Sequence, residues 1–227
     1  MTASSVTENK ILSALPAKVY SETIGKFEPF ELELGHKLYE EGDIFSHVYF
    51  IESGLISILA ADDEHTKMEI AMVGNEGMIA SPVFLGARKS TCCATVLGEG
   101  YALRMRADKF LAECRSNEDL SREMNVFIYS IIVQLTRSTI CNRFHSTESR
   151  LARWLLMTQD RMGSEMFRIT QNSLSYMVAV RREAINKAAV TFQRTGYIKY
   201  TRGQMTILDR KALEASACVC YGILLNG

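Results

Sequence analysis

Between residues 27 and 106 the apolar positions fall in short runs, each closed by a turn residue. VYFI from Val48, LISIL from Leu55, MEIAMV from Met68, CCATVL from Cys92 and YALRM from Tyr101 are separated by Gly42, Gly54, Gly74, Gly86, Gly98 and Gly100. Runs of this length, rich in β-branched and aromatic residues, predict strands, and their density predicts an antiparallel sandwich or barrel-like roll. A short helical lead precedes them, with Ile11, Leu12, Leu15 and Val19 at helical spacing.

The period then changes. ADKFLAEC from Ala107 reads as a short helix, and Asn117 to about Arg143 as a long one with Leu120, Met124, Phe127, Ile131 and Leu135 spaced by threes and fours. Val126, Ile128, Ile132 and Val133 lie off that seam, so the helix is apolar over much of its girth and needs cover on more than one side. A roll on one side and a symmetry mate on the other satisfies this, which predicts a homodimer.

From Thr170 the pattern reads helix, tight turn, helix and hairpin. Thr170 is placed to cap a helix holding Leu174 and Met177, and Ala179 with Val180 makes the turn. A second helix runs from about Arg181 to Arg194. Its Ile185, Ala188, Ala189 and Phe192 share one face, while Arg182, Glu183, Asn186, Lys187 and Gln193 lie elsewhere. Gly196 ends that helix, and YIKY, TRGQ and MTILD form a two-stranded wing turning at Gly203. This is the pattern of a winged helix-turn-helix. An Arg donates two bonds to guanine and a Glu accepts from cytosine, so the free face suits base-edge reading.

Charge sharpens the division. The net charge of zero hides a split: through residue 146 there are 14 Lys or Arg against 20 Asp or Glu, a net of −6, whereas Thr147 to Lys211 has 12 against 5, a net of +7. The basic part is the candidate for polyanion binding. The boundaries that follow are 1–116 for the roll, 117–146 for the dimerisation helix and hinge, and 147–227 for the DNA-binding domain. The longest charge-free stretches, Met124 to Thr136 and Ala215 to Gly227, fall short of the roughly 17 to 25 apolar residues of a membrane span. The amino terminus lacks a secretory pattern, and six cysteines give no regular disulfide framework, so the expectation is a cytoplasmic protein with reduced thiols. There is no GxxxxGK, no HExxH and no nucleophile with a nearby base, so no enzyme is expected.

The order of a roll containing HVYFIESGLISIL, a GNEGM turn, a long helix and RREAINKAAVTFQRTGYIKYTRGQMTILDR resembles the cyclic AMP receptor protein/FNR (Crp/Fnr) family of bacterial transcription regulators, from about Phe27 to Leu213. The resemblance implies an α+β chain: a cyclic-nucleotide-binding-like antiparallel β-roll, a dimerisation helix and a C-terminal winged helix-turn-helix. It also implies a homodimer on a near-palindromic DNA duplex, with RNA polymerase as a partner and an effector at the roll. Arg182 and Glu183 match the family's base-reading pair, while Lys187 stands where a second Arg is usual and lacks its bidentate fork. The expected DNA contacts are Thr170, Gln171, Arg181, Arg182, Glu183, Asn186, Lys187, Lys199 and Arg202. Ala179 replaces the glycine common in the family's turn.

At the roll, relatives that bind cyclic nucleotides use Gly-Glu and, shortly after, Arg-Ser to hold the phosphate. The counterparts are Glu76 with Gly77 and, after a longer gap, Arg88, Lys89 and Ser90, with Thr136 on the long helix as the base contact. The altered spacing, and Lys89 beside Ser90, argue against cyclic AMP. An iron–sulfur cluster on amino-terminal cysteines is not expected when the first cysteine is Cys92, nor is haem, because His36, His47, His65 and His145 read as surface residues near turns or helix ends. Cys218 and Cys220 offer two ligands, or a redox pair, and two ligands do not close a zinc site, so no metal is expected. The effector stays unidentified. The alternatives left open are a cyclic-nucleotide-responsive regulator and a nucleotide-sensing regulatory subunit that does not bind DNA.

Overall fold

The computed structural model describes residues 7–62 and 66–225, so His65 lies outside the described residues. The chain falls into two compact units: Met1–Ile58 with Met72–Ile131, and Leu59–Ala71 with Ile132–Gly227.

In the first unit, the helical lead is two short helices, α1 (Lys10–Ser13) and α2 (Ala17–Ile24), broken where Pro16 takes the position before α2. Asn9 caps α1 and sends its amide to the carbonyls of Ile51 and Gly77, fastening the lead to the roll. Strands β1 (Glu28–Leu32), β2 (Lys37–Tyr39), β3 (His47–Ile51), β4 (Leu55–Ala61), β5 (Lys67–Val73), β6 (Met78–Ile79), β7 (Cys93–Gly98) and β8 (Gly100–Arg106) follow. They form two four-stranded sheets, in the orders β1-β8-β3-β6 and β2-β7-β4-β5. In the first sheet every pairing is antiparallel, with Val48 opposite Met105 and Phe30 opposite Ala102. Alternate residues of these strands face one core, where Leu32, Val48, Phe50, Ile56, Ile79, Ala94 and Val96 are buried. Phe50 sits edge-on between Phe27 and Phe110, the latter from α3 (Ala107–Ser116).

Helix α4 runs from Glu118 to Phe144, one residue later at each end than the periodicity predicts. Leu120, Met124 and Phe127 are buried in the core of the roll and Ile131 packs at its margin. By length and composition α4 could cross a membrane, but its buried seam is occupied by the roll. The opposite side stays apolar and open, with Val126, Tyr129 and Ile132 exposed by 59%, 64% and 53%.

The second unit is organised on α5 (Thr147–Met162), capped by Ser146 and closed by Gly163 in a left-handed conformation. Its buried Leu151, Trp154 and Leu155 support α6 (Gln171–Val178), α7 (Arg182–Arg194) and α8 (Arg210–Ser216). The hairpin β10 (Ile198–Thr201) and β11 (Gln204–Ile207) gains a third strand, β9 (Met166–Arg168), on its other edge. The last described helix is α9 (Cys220–Leu225), held by Tyr221, whose hydroxyl donates to Asp160 and accepts from Arg210. Buried Glu69 belongs to this unit too, accepting a 2.9 Å bond from the Trp154 indole.

Candidate functional site

The candidate reading face lies on α7. Ile185, Ala188, Ala189 and Phe192 are buried, so the positions between them point outward, as the 3.6-residue period requires. Arg182, Glu183, Asn186 and Lys187 are all exposed. Arg181 holds the position before the helix in extended backbone, also exposed. Across from it, the Thr170 hydroxyl accepts from the Ser173 amide and caps α6, which fixes the entry of the first helix. Gln171 donates to Asn186 at 3.1 Å, a side-chain tie between α6 and α7 at the edge of the same face.

The turn between the helices is built on Ala179, whose φ of 52° is left-handed. A β-carbon there costs about 1 kcal/mol or more, which explains the fitness of glycine at this point. The turn keeps its geometry because Arg150, buried under it, donates to the carbonyls of both Val178 and Ala179. The same guanidinium donates to the side-chain and backbone oxygens of Asn142 in the last turns of α4. Burial lowers its pKa from the usual guanidinium range.

The wing turns at Arg202 and Gly203, both with positive φ (51° and 78°), the pairing a two-residue hairpin needs. It exposes Lys199 and Arg202. Neither they nor Arg181, Arg182, Glu183 and Lys187 make a side-chain hydrogen bond or ion pair with any described residue. Glu183 and Lys187, four apart on the helix, therefore do not pair with each other. Six charged groups, five of them cationic, are therefore exposed without a side-chain partner among the described residues.

The candidate effector residues stand differently. Glu76 accepts from the Gly74 amide inside its own turn. Gly77 faces Phe127: a β-carbon at Gly77 would lie 2.1 Å from the Phe127 ring. Ser90 is buried, and its hydroxyl donates to the Cys92 carbonyl and accepts from the Cys92 amide. Arg88 and Lys89 are exposed on the loop before it, and Lys89 bridges to Ile44 through the backbone. Thr136 is exposed and donates to the Ile132 carbonyl of its own helix. A cavity of about 150 Å³ in the roll is lined by other residues, among them Tyr39, Asp43, His47 and Tyr49. In the second unit a larger one, about 340 Å³, lies between Met68–Ile70 and the Leu135–Arg143 face of α4.

One expectation needs correction. His145 is half-buried and lies with Cys141, Cys218 and Cys220, their ligand atoms all within 4.8 Å of one another. His145 is thus not the surface residue its place at a helix end predicts, and Cys218 meets Cys141 across a separation of 77 residues that local spacing does not reveal.

The comparisons agree with this architecture. The family model described as "Cyclic nucleotide-binding domain" matches residues 29–117, and that described as "Crp-like helix-turn-helix domain" matches 149–216. The chain is 22% identical over 200 residues to the CRP-like cAMP-activated global transcriptional regulator of Mycobacterium tuberculosis, covering 85% of this chain and 89% of that one. Among solved structures it is similar to FixK2 from Bradyrhizobium japonicum (TM-score 0.71, 10% identity, 85% of this chain and 98% of that one). It is similar as well to a CRP/FNR-family transcriptional regulator from Thermus thermophilus (TM-score 0.69, 18% identity, 84% and 98%). With a cyclic nucleotide-binding domain and a Crp-like helix-turn-helix joined by one long helix, the chain belongs to the Crp/Fnr family of transcription regulators.

Proposed function

We propose that the protein is a homodimer that reads a near-palindromic operator with α7, under the control of an effector held in the roll. The observation that carries this is the exposed face of α7, where Arg182, Glu183 and Lys187, like Lys199 and Arg202 of the wing, have no side-chain partner among the described residues. Arg182 and Glu183 suit base edges; Arg181, Lys199 and Arg202 suit phosphate, which fixes register without carrying sequence. Thr170, Gln171 and Asn186 orient the two helices and lie within reach of the same duplex. The open stripe of Val126, Tyr129 and Ile132 on α4 supports dimerisation, since burying such side chains is worth roughly 1.5 to 3 kcal/mol each. RNA polymerase is the protein partner a promoter-bound regulator addresses.

Selection of duplexes from a random pool, followed by sedimentation of the complex, tests the reading. Two copies of the chain on half-sites about one helical turn apart are expected. A monomer at micromolar concentration, or a pool that never gains a consensus, would overturn it.

For the effector we infer something other than cyclic AMP, although the mycobacterial relative is described as cAMP-activated. The Ser90 hydroxyl is engaged by Cys92, and the exposed cation beside it is Lys89, which lacks the fork of Arg. Calorimetry with cyclic AMP is expected to give no saturable micromolar binding; binding that also strengthens operator affinity refutes the inference.

A further inference from the structure

Cys141 and His145 are four apart at the carboxyl end of α4, and the His145 amide still bonds the Cys141 carbonyl, so their side chains share a helical face. Cys218 and Cys220 reach the same point from the tail. Cys141 Sγ is 3.5 Å from Cys218 Sγ, and Cys220 Sγ is 3.8 Å from His145 Nδ1. A tetrahedral zinc with Zn–S bonds of about 2.3 Å and Zn–N of about 2.0 Å sets its ligand atoms roughly 3.5 to 3.8 Å apart. The four atoms already lie within 4.8 Å of one another. Cys141 and Cys220 are almost wholly buried, at 0% and 1% exposure.

Charge supplies a second, independent argument. Arg150 and Arg153 are both buried at 7% exposure, and neither forms an ion pair with a described carboxylate. The Nε of each has no hydrogen-bond partner among the described residues. Arg153 acts electrostatically on Cys141, Cys218 and Cys220, and Arg150 interacts with Cys141 and Cys218. A zinc ion with three thiolates and a neutral imidazole carries a net charge of −1, which would offset part of the charge of these two buried cations.

We propose that Cys141, His145, Cys218 and Cys220 bind one zinc ion. Each thiol gives up its proton to solvent as the metal binds, and no electron is transferred. Four protein ligands close the coordination sphere, so the ion has a structural role: it pins Cys218 and the first residue of α9, Cys220, to the carboxyl end of α4, at the junction with α5. A multi-iron cluster carries its thiolates around a body of bridged irons, and ligand atoms drawn this close enclose a single ion instead.

The test uses the full-length chain purified under reducing conditions and measures zinc after gel filtration, then Co²⁺ titration of the metal-free protein. About one zinc per chain is expected, and Co²⁺ should develop the thiolate charge-transfer and ligand-field bands of a tetrahedral site. Cys218→Ser, in the half-buried tail, should weaken Co²⁺ binding by roughly 100-fold or more, beyond the 10- to 100-fold of a lost outer contact. Cys93→Ser, in the roll, should leave it unchanged. Cys141→Ser should behave as Cys218→Ser does; if it does not fold, the tail variant carries the test alone. Chelation should lower the melting temperature of the wild type and not that of Cys218→Ser. A folded wild type without zinc and without cobalt–thiolate bands overturns the proposal, as does zinc retained by Cys218→Ser, or iron with acid-labile sulfide in place of zinc. None of these readouts involves DNA, so the outcome is separate from that of operator binding.

Discussion

The reading face of α7 and the Glu76–Ser90 segment of the roll carry similar residue types to different ends. On α7, Arg182, Glu183 and Lys187 stand in solvent with no side-chain partner among the described residues. In the roll, Glu76 closes its own turn, Ser90 is occupied by both backbone groups of Cys92, and Gly77 provides a hollow for the Phe127 ring. A polar group already paired within the fold must break that pairing to meet a ligand, whereas an unpaired one must shed only water. Glu76, Gly77 and Ser90 are thus spent on the fold, whereas Arg182, Glu183 and Lys187 remain exposed.

The largest effect expected is at Gly77. Its β-carbon would overlap a Phe127 ring that is itself buried, so Gly77→Ala should destabilise by about 3 kcal/mol and lower the melting temperature by roughly 10 °C. A melting temperature equal to the wild type breaks the assignment of Gly77 to packing. On the other side of the comparison, Arg182→Ala should leave stability alone and cost about 2 kcal/mol on the selected operator, with little loss on scrambled DNA. Arg202→Ala should weaken both alike and reduce the salt slope by about one. Equal losses for Arg182→Ala on both duplexes would reduce it to a phosphate anchor.

Ser90→Ala sharpens the contrast further. Removal of a hydroxyl that serves the chain's own backbone should cost about 1 kcal/mol of stability by denaturant titration. Ala179→Gly should add roughly 0.5 kcal/mol by relieving the left-handed strain, with operator preference unchanged. The smallest effect is at His47, whose pKa is held below its ordinary value by burial first and by Arg104 second. The unfolded chain therefore takes up the proton first, so this part of the stability is present above pH about 6.5 and is lost as the pH falls from there through the lower folded-state value. His47→Gln should flatten the fall in melting temperature between pH about 7.5 and about 5.5, either side of the ordinary histidine value; an unchanged slope assigns the acid sensitivity elsewhere.

Features carried by local pattern were legible. The buried face of α7, the cap at Thr170 and the turn at Gly203 all follow from spacings within a few residues. Short or distant partners were not. β9 has three residues and β6 two, too few for an alternation to register. The bond from Trp154 to Glu69 spans 85 residues, and the meeting of Cys141 with Cys218 spans 77. Cys141 and His145 carried a local signal, the i,i+4 spacing on a helix, but its meaning depended on where the tail ends up.

Arg150 bears on how the protein can be cut. A DNA-binding fragment starting at the charge boundary, Thr147, would keep the carbonyls of Val178 and Ala179 but discard Asn142, stripping a buried cation of half its acceptors. Hybrid regulators that graft this reading head onto a foreign sensor should therefore place the splice upstream of Cys141, treating the last turn of α4 as part of the cargo.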